Sequence, residues 1–254
     1  MIRTVKTKDL EMNYIKFGQG GRTLVIIPGL SVKSVLLSED DIVRAYDPVA
    51  KLFTVYLFDR RTDMPNDYKI RDMAADTAAA MKAVGIEKAD VFGVSQGGMI
   101  AQFIAIDHPE LVNSLVLGST SSRVTSKQEP VPADRLEEKA REFLSALYSD
   151  DFIKEAAPGF RPDLIPITDE ELERFAVSVT AGEGFNAFDE LDRIKCRTLV
   201  IGAVCDTIVP LGDCLDIAEK LKCELYMYGA PYGHAVYDEA PDYKDRLIQF
   251  LTRE

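Results

Sequence analysis

Five near-continuous apolar runs, rich in β-branched residues, constrain this chain most: residues 23–27 (TLVII), 53–58 (FTVYLF), 89–94 (ADVFGV), 114–118 (SLVLG) and 197–202 (RTLVIG). Runs without polar alternation are typical of strands buried on both faces, the setting of a parallel sheet. Residues 11–17 alternate loosely and 224–227 form a weaker run. Helical patterns occupy 70–84, 98–106, 211–221 and 242–252, with Gly85 as a stop signal for the first. Strand and helix in alternation imply an α/β architecture: a mostly parallel central sheet with helices on both faces. The Gly18-Gln19-Gly20-Gly21 turn predicts an antiparallel hairpin between 11–17 and 23–27.

Residues 122–189 break this rhythm and contain no strong strand. Residues 136–148 read as an amphipathic helix and 169–179 as another, with Thr168 as N-cap, and Pro158, Pro162 and Pro166 lie between them. The expected organisation is one core, 1–121 and 190–254, with a small helical lid inserted at 122–189.

The remaining composition mainly excludes. A chain of 254 residues can bury a full core without staples. No apolar stretch of about 18 residues exists, so no membrane-spanning helix is expected. Arg3, Lys6, Lys8, Asp9 and Glu11 rule out a secretory signal at this N-terminus, and the cytoplasm is the expected location. Acidic residues outnumber basic ones by 42 to 30, a net charge of −12, which argues against nucleic acid and anionic membranes as partners. The two histidines, His108 and His234, leave no basis for a His-rich metal site. Cys196, Cys205, Cys214 and Cys223 form no C-x-x-C pair, and reduced, mostly buried thiols are expected.

The chemistry is signalled by Gly93-Val94-Ser95-Gln96-Gly97-Gly98. This G-x-S-x-G lies between an apolar strand and an apolar helix, where a sharp turn exposes the serine hydroxyl. The turn also leaves the Gln96 amide at a helix N-terminus, free to donate to a developing oxyanion. Such a hydroxyl needs a neighbouring base. A helix of about ten residues, at 1.5 Å per residue, carries His108 to the far end from Ser95. His234, in Tyr232-Gly233-His234-Ala235, lies instead in a loop beyond the last strand, at the sheet edge that Ser95 faces. The carboxylate that orients the imidazole is best supplied by Asp206, directly after the 197–202 strand. Asp213, Asp216, Asp238 and Glu239 read as helix-terminal charges.

These residues give the chain a resemblance to the α/β-hydrolase superfamily. The match is carried by Gly93 to Gly98, by Gly202 with Asp206 and Val209-Pro210, and by Gly233-His234-Ala235 with Glu239 and Pro241. Within that superfamily it is most similar to small bacterial carboxylesterases and enol-lactonases. The resemblance implies a second oxyanion amide at Leu30. Two departures stand out. Pro28-Gly29 replaces the family's His-Gly, removing a side chain that usually supports this loop. Asp59-Arg60-Arg61-Thr62 replaces D-x-R-G, with Asp59 and Arg61 expected to form a structural ion pair.

The expected activity is cofactor-free hydrolysis of a small carboxylic ester or lactone by Ser95, Asp206 and His234, with Gln96 and Leu30 holding the oxyanion. Open alternatives are a C–C bond hydrolase, an acyl transferase, and a non-catalytic ligand-binding protein on the same fold. Gly18 to Gly21 is no dinucleotide loop, because a strand follows it, and no G-x-x-x-x-G-K-[ST] occurs. Among the aromatics Phe143, Tyr148, Phe152, Phe160, Phe175, Phe185 and Phe188, some are expected to line a substrate pocket and most to pack the insertion onto the core. Arg123, Lys127 and Arg161 read as surface charge. The oligomeric state is not legible in the sequence.

Overall fold

A computed structural model describes residues 1–124, 131–156, 161 and 164–253. Eight strands form one sheet: β1 (Arg3–Lys6), β2 (Glu11–Phe17), β3 (Arg22–Ile27), β4 (Phe53–Arg61), β5 (Ala89–Val94), β6 (Val112–Gly118), β7 (Arg197–Ala203) and β8 (Glu224–Tyr228). Their spatial order is β1-β2-β4-β3-β5-β6-β7-β8. From β4 to β8 every neighbouring pair is parallel, whereas β1 and β2 are antiparallel additions at one edge.

The expected hairpin between β2 and β3 does not form. β2 pairs with β4, and β4 lies between β2 and β3. The glycine turn instead crosses the start of β4 at close range. A Cβ at Gly20 would fall 1.9 Å from the Leu52 carbonyl, the Gln19 amide donates to Ala50 O, and the Thr54 hydroxyl donates to Gly20 O. The glycines serve this close crossing rather than a two-residue reversal. The hairpin that does exist joins β1 and β2, with Thr7 N donating to Leu10 O at 2.8 Å.

Alternation along each strand divides the core in two. Val25, Ile27 and Val91 face one side, where they pack with the helices Ile70–Ala83, Gln96–Asp107 and Leu211–Leu221. Leu24, Ile26, Phe92 and Val94 face the other, with Tyr46, Val49 and the C-terminal helix Tyr243–Thr252. The helix Gln96–Asp107 is buried almost all round, which accounts for its lack of a polar stripe. Gly85, at φ +82°, ends the helix Ile70–Ala83 as expected.

The helical insertion leaves after β6 and returns before β7. Its neck is closed by hydrogen bonds from Val124 N to Phe185 O (2.9 Å) and from Ala187 N to Ser122 O (2.8 Å). The helix Asp169–Thr180 begins at Thr168, whose hydroxyl accepts from Glu171 N while Glu171 accepts from Thr168 N. With the helix Leu136–Ala146 it builds a small cluster around Ala140 and Phe175 that takes in Leu30 and Val32, so the insertion seats on the loop after β3. Phe185, Ala187 and Leu191 belong to the main core instead. Among the described residues no helix is long and apolar enough to cross a membrane. All four cysteines are free. Cys214 is buried and Cys196 and Cys223 are partly so, but Cys205 is exposed because it rides the loop just past the end of β7.

Candidate active site

β5 ends at Val94 and the next helix starts at Gln96, leaving Ser95 alone to make the turn. It does so at φ 53°, ψ −123°, a conformation that costs on the order of 1–3 kcal/mol for a non-glycine residue. Its surroundings hold it there. Ser95 N donates to Gly118 O (2.8 Å), and Ser95 O accepts from the Thr120 hydroxyl (2.6 Å) and from the Gly98 amide (2.9 Å). The motif's second glycine is required by contact: a Cβ at Gly97 would lie 2.0 Å from Ile27 O and 2.4 Å from Pro28 O. That proximity brings the loop after β3 against the turn, with Gly29 beside the Ser95 side chain.

Asp206 follows β7 and is fixed by its own loop. Its Oδ1 accepts from Ile208 N and Val209 N, both at 2.8 Å. Its Oδ2 lies 2.8 Å from His234 Nδ1, and the two side chains are 2% and 1% exposed. A carboxylate only accepts, so Nδ1 carries a proton, and in the neutral ring Nε2 presents the lone pair. The His234 loop is tied to the insertion through Ala235 N, which donates to Leu147 O at 3.0 Å. His108, as expected, caps the far end of the helix that starts beside Ser95, with Glu110 near its ring.

Ser95, His234, Gly29 and Leu30 line one cavity of about 340 Å³. Its walls are mainly apolar, from Ile26, Leu57 and Val94 in the sheet to Phe143, Leu144, Leu147 and Ile165 in the insertion. The polar exceptions include Lys33 and Asp238. The Tyr148 hydroxyl donates to Asp238 at 3.3 Å. Burial, followed by the charge of Asp238, pushes the Tyr46 phenol upward, keeping it neutral. Of the insertion aromatics, Phe143 and Tyr148 face this cavity, Phe152 stacks on Tyr148, and Phe175, Phe185 and Phe188 pack elsewhere. Phe160 and Lys127 lie outside the described residues. Arg123 is engaged with Asp216 at 2.6 Å. Among the described residues no group of three or more His, Cys, Asp and Glu side chains could hold a metal ion.

The expected pair of Asp59 with Arg61 is absent. Arg61 binds Asp76 (3.1 Å), while Asp59 accepts from the Ser34 hydroxyl and the Arg60 amide. A bulge is the cause. Tyr14 pairs with Phe58 and Met12 with Arg61, so two residues of β4, Asp59 and Arg60, oppose the single Asn13. The bulge turns Arg60 inward, where it is 8% exposed and donates to Pro28 O (2.8 Å), Gly29 O (3.4 Å) and Gln96 Oε1 (3.4 Å). Gln96 in turn donates through Nε2 to Ser178 O at 2.6 Å, linking the turn to the helix Asp169–Thr180. Sequence reasoning missed Arg60. The only local signal was two adjacent arginines at the end of an apolar strand.

A family model for the α/β hydrolase fold matches residues 48–179. The chain belongs to the α/β hydrolase family. It is similar to serine hydrolase BPHL of Mus musculus, 23% identical over 81% of this chain and 70% of that protein. It is equally similar to 3-oxoadipate enol-lactonase 2 of Acinetobacter baylyi, 23% identical over 83% of this chain and 81% of that one. The crystal structure of the enol-lactonase from Burkholderia xenovorans LB400 shares the fold, with a TM-score of 0.83 at 18% identity over 99% of this chain and 100% of that one. Family membership sets the class of activity as hydrolase.

Proposed function

We propose that this hydrolase cleaves a carboxylic ester or lactone through an acyl-enzyme on Ser95. The observation that carries this is the buried Asp206–His234 pair, whose histidine lines the same cavity as Ser95 at its strained turn. Ser95 Oγ attacks the acyl carbon and His234 Nε2 takes its proton. Asp206 holds the ring with Nδ1 protonated and stabilises the imidazolium. The amides of Gln96 and Leu30 receive the charge on the tetrahedral oxygen. The Gln96 amide is suited to this because the first turn of a helix offers its N–H groups no intrahelical acceptor. Collapse expels the alcohol oxygen with the proton from His234. Water, deprotonated by His234, then releases the acid and restores Ser95.

The helical insertion acts as a lid in this scheme, since five of its residues wall the cavity. Similarity to two proteins named as a serine hydrolase and an enol-lactonase supports the ester or lactone bond. Release of nitrophenol from esters of increasing acyl length, with Ser95→Ala beside the parent, tests the reading. Turnover that disappears in the variant is expected. Equal turnover in both proteins, or none from the parent at any length, overturns it.

A further inference from the structure

Arg60 takes no part in the reaction as written, yet it is more than nine-tenths buried. A guanidinium is held out of water only where its surroundings compensate it. Here Asp59 supplies opposite charge, and the Nη2 donors go to Pro28 O, Gly29 O and Gln96 Oε1. Nε has no partner among the described residues, and Arg60 borders a small polar cavity of about 20 Å³ beside Gly29, Gln96, Arg174 and Ser178, room for about one water.

All three acceptors belong to the parts of the chain that carry the two oxyanion amides. Gly29 C=O and Leu30 N–H are the two ends of a single peptide unit. A trans peptide is planar, with its oxygen and hydrogen on opposite edges. Drawing Gly29 O toward Arg60 therefore turns the Leu30 N–H away from Arg60. Gly29 itself lies against Ser95: a Cβ built there would be 3.6 Å from Ser95 Oγ. Pro28, at the head of this loop, has neither an N–H nor a polar side chain with which to brace it.

We propose that Arg60 is a positioning residue for the oxyanion site, fixing the Pro28 and Gly29 carbonyls so that the Leu30 amide meets the charge developing on the substrate oxygen. The inference rests on the serine reading above. The β4 bulge delivers the guanidinium, and the Gln96 side chain extends the same network to Ser178 in the insertion. Because the Leu30 amide that Arg60 positions is called on only as charge forms, loss of Arg60 lowers the rate of the chemical step and leaves ground-state binding nearly unchanged.

The test is single-turnover labelling of Ser95 by an alkyl fluorophosphonate, whose phosphoryl oxygen occupies the oxyanion site as the adduct forms. A concentration series gives a maximal rate and a half-saturating concentration for the parent, Arg60→Met, Arg60→Lys and Ser95→Ala, each checked for folding by circular dichroism. The expected result is a maximal rate about a hundredfold lower in Arg60→Met, the scale of losing one oxyanion donor. The half-saturating concentration stays within about threefold and Arg60→Lys falls between. A maximal rate in folded Arg60→Met equal to the parent's overturns the proposal, as does a change confined to half-saturation. If Arg60→Met does not fold, Arg60→Lys decides: a clear loss of maximal rate upholds the proposal, and the parental rate overturns it. A parent that takes no label at Ser95 removes the serine reading and this inference together. Labelling of the parent with unchanged Arg60 variants removes the inference alone.

Discussion

His234 Nδ1 lies 2.8 Å from Asp206 Oδ2, while the other carboxylate oxygen is occupied by the Ile208 and Val209 amides. Asp206 therefore has one oxygen committed to its own backbone loop and one to the imidazole. Replacing it with Asn puts an N–H donor where one of those sets of donors already points. Asp206→Asn is expected to lower ester turnover by roughly 10³–10⁴-fold, by favouring the wrong imidazole tautomer. Steady-state kinetics beside a circular dichroism spectrum check this, and turnover within tenfold of the parent counts against the assigned role.

Two glycines, each the second residue of its helix, separate a steric requirement from helix propensity. An added methyl at Gly97 meets the Ile27 and Pro28 carbonyls at 2.0 and 2.4 Å, whereas one at Gly212 meets nothing within 4 Å. Gly97→Ala is expected to lower the melting temperature and abolish turnover, because backbone rather than a movable side chain must yield. Gly212→Ala is expected to be neutral or to stabilise by about 0.5–1 kcal/mol. Thermal melts of both variants provide the comparison.

A surface cluster gives stability a defined dependence on acid. Arg71 binds Asp107 (2.7 Å) and Glu190 (2.9 Å), joining two helices to the segment that leads into β7. Its hydrogen bonds hold both carboxyls below their ordinary range. A carboxyl depressed in the folded state contributes stability above its unfolded value and loses it as pH falls through the folded value. Arg71→Gln is expected to lower the unfolding free energy from urea melts at pH 7, by no more than about 1 kcal/mol given the exposure of the site. The difference from the parent should shrink below about pH 4. A difference that persists at pH 3 would contradict the assignment.

Thiol reactivity should follow position. Cys205 is exposed, whereas burial pushes the Cys214 and Cys223 thiols up to about 11 and raises Cys196 as well. With Ellman's reagent at pH 8, fast reaction at Cys205 is expected from the native protein, and all four thiols should react in urea. Rapid native labelling of Cys214 would mean that the helix Leu211–Leu221 opens readily.

The candidate nucleophile was legible because its constraints are local. A residue forced into the left-handed region between a strand and a helix imposes Gly93 and Gly97 two residues either side of Ser95, where the sequence displays them. The candidates His234 and Asp206 were legible because each lies in a loop beyond the end of a strand. Strand order was not. β4 enters between β2 and β3 through contacts of residues 18 to 20 with residues 50 to 54, and a run of glycines reads the same whether it reverses the chain or lets it cross. β1 was missed because Arg3–Lys6 is short and exposes all but Val5. Arg60 was hidden for a related reason: a bulge is a property of pairing with β2, and one extra residue in β4 exchanges the expected Asp59–Arg61 contact for two separate ones.

Arg123 and Asn186 form an antiparallel bridge, so the insertion departs and returns about one strand spacing apart, roughly 4.8 Å, before residues 188–196 carry the chain back to the start of β7. Its neck is stitched at Ser122, Val124, Phe185 and Ala187. Anything hung from that neck leaves the sheet, and with it Ser95, Asp206 and His234, in the same register. The part of the molecule that walls the cavity can thus lengthen, shorten or be exchanged as a cassette, and selection can retune what the cavity admits as long as the Leu147 and Ser178 carbonyls still meet the Ala235 amide and the Gln96 side chain.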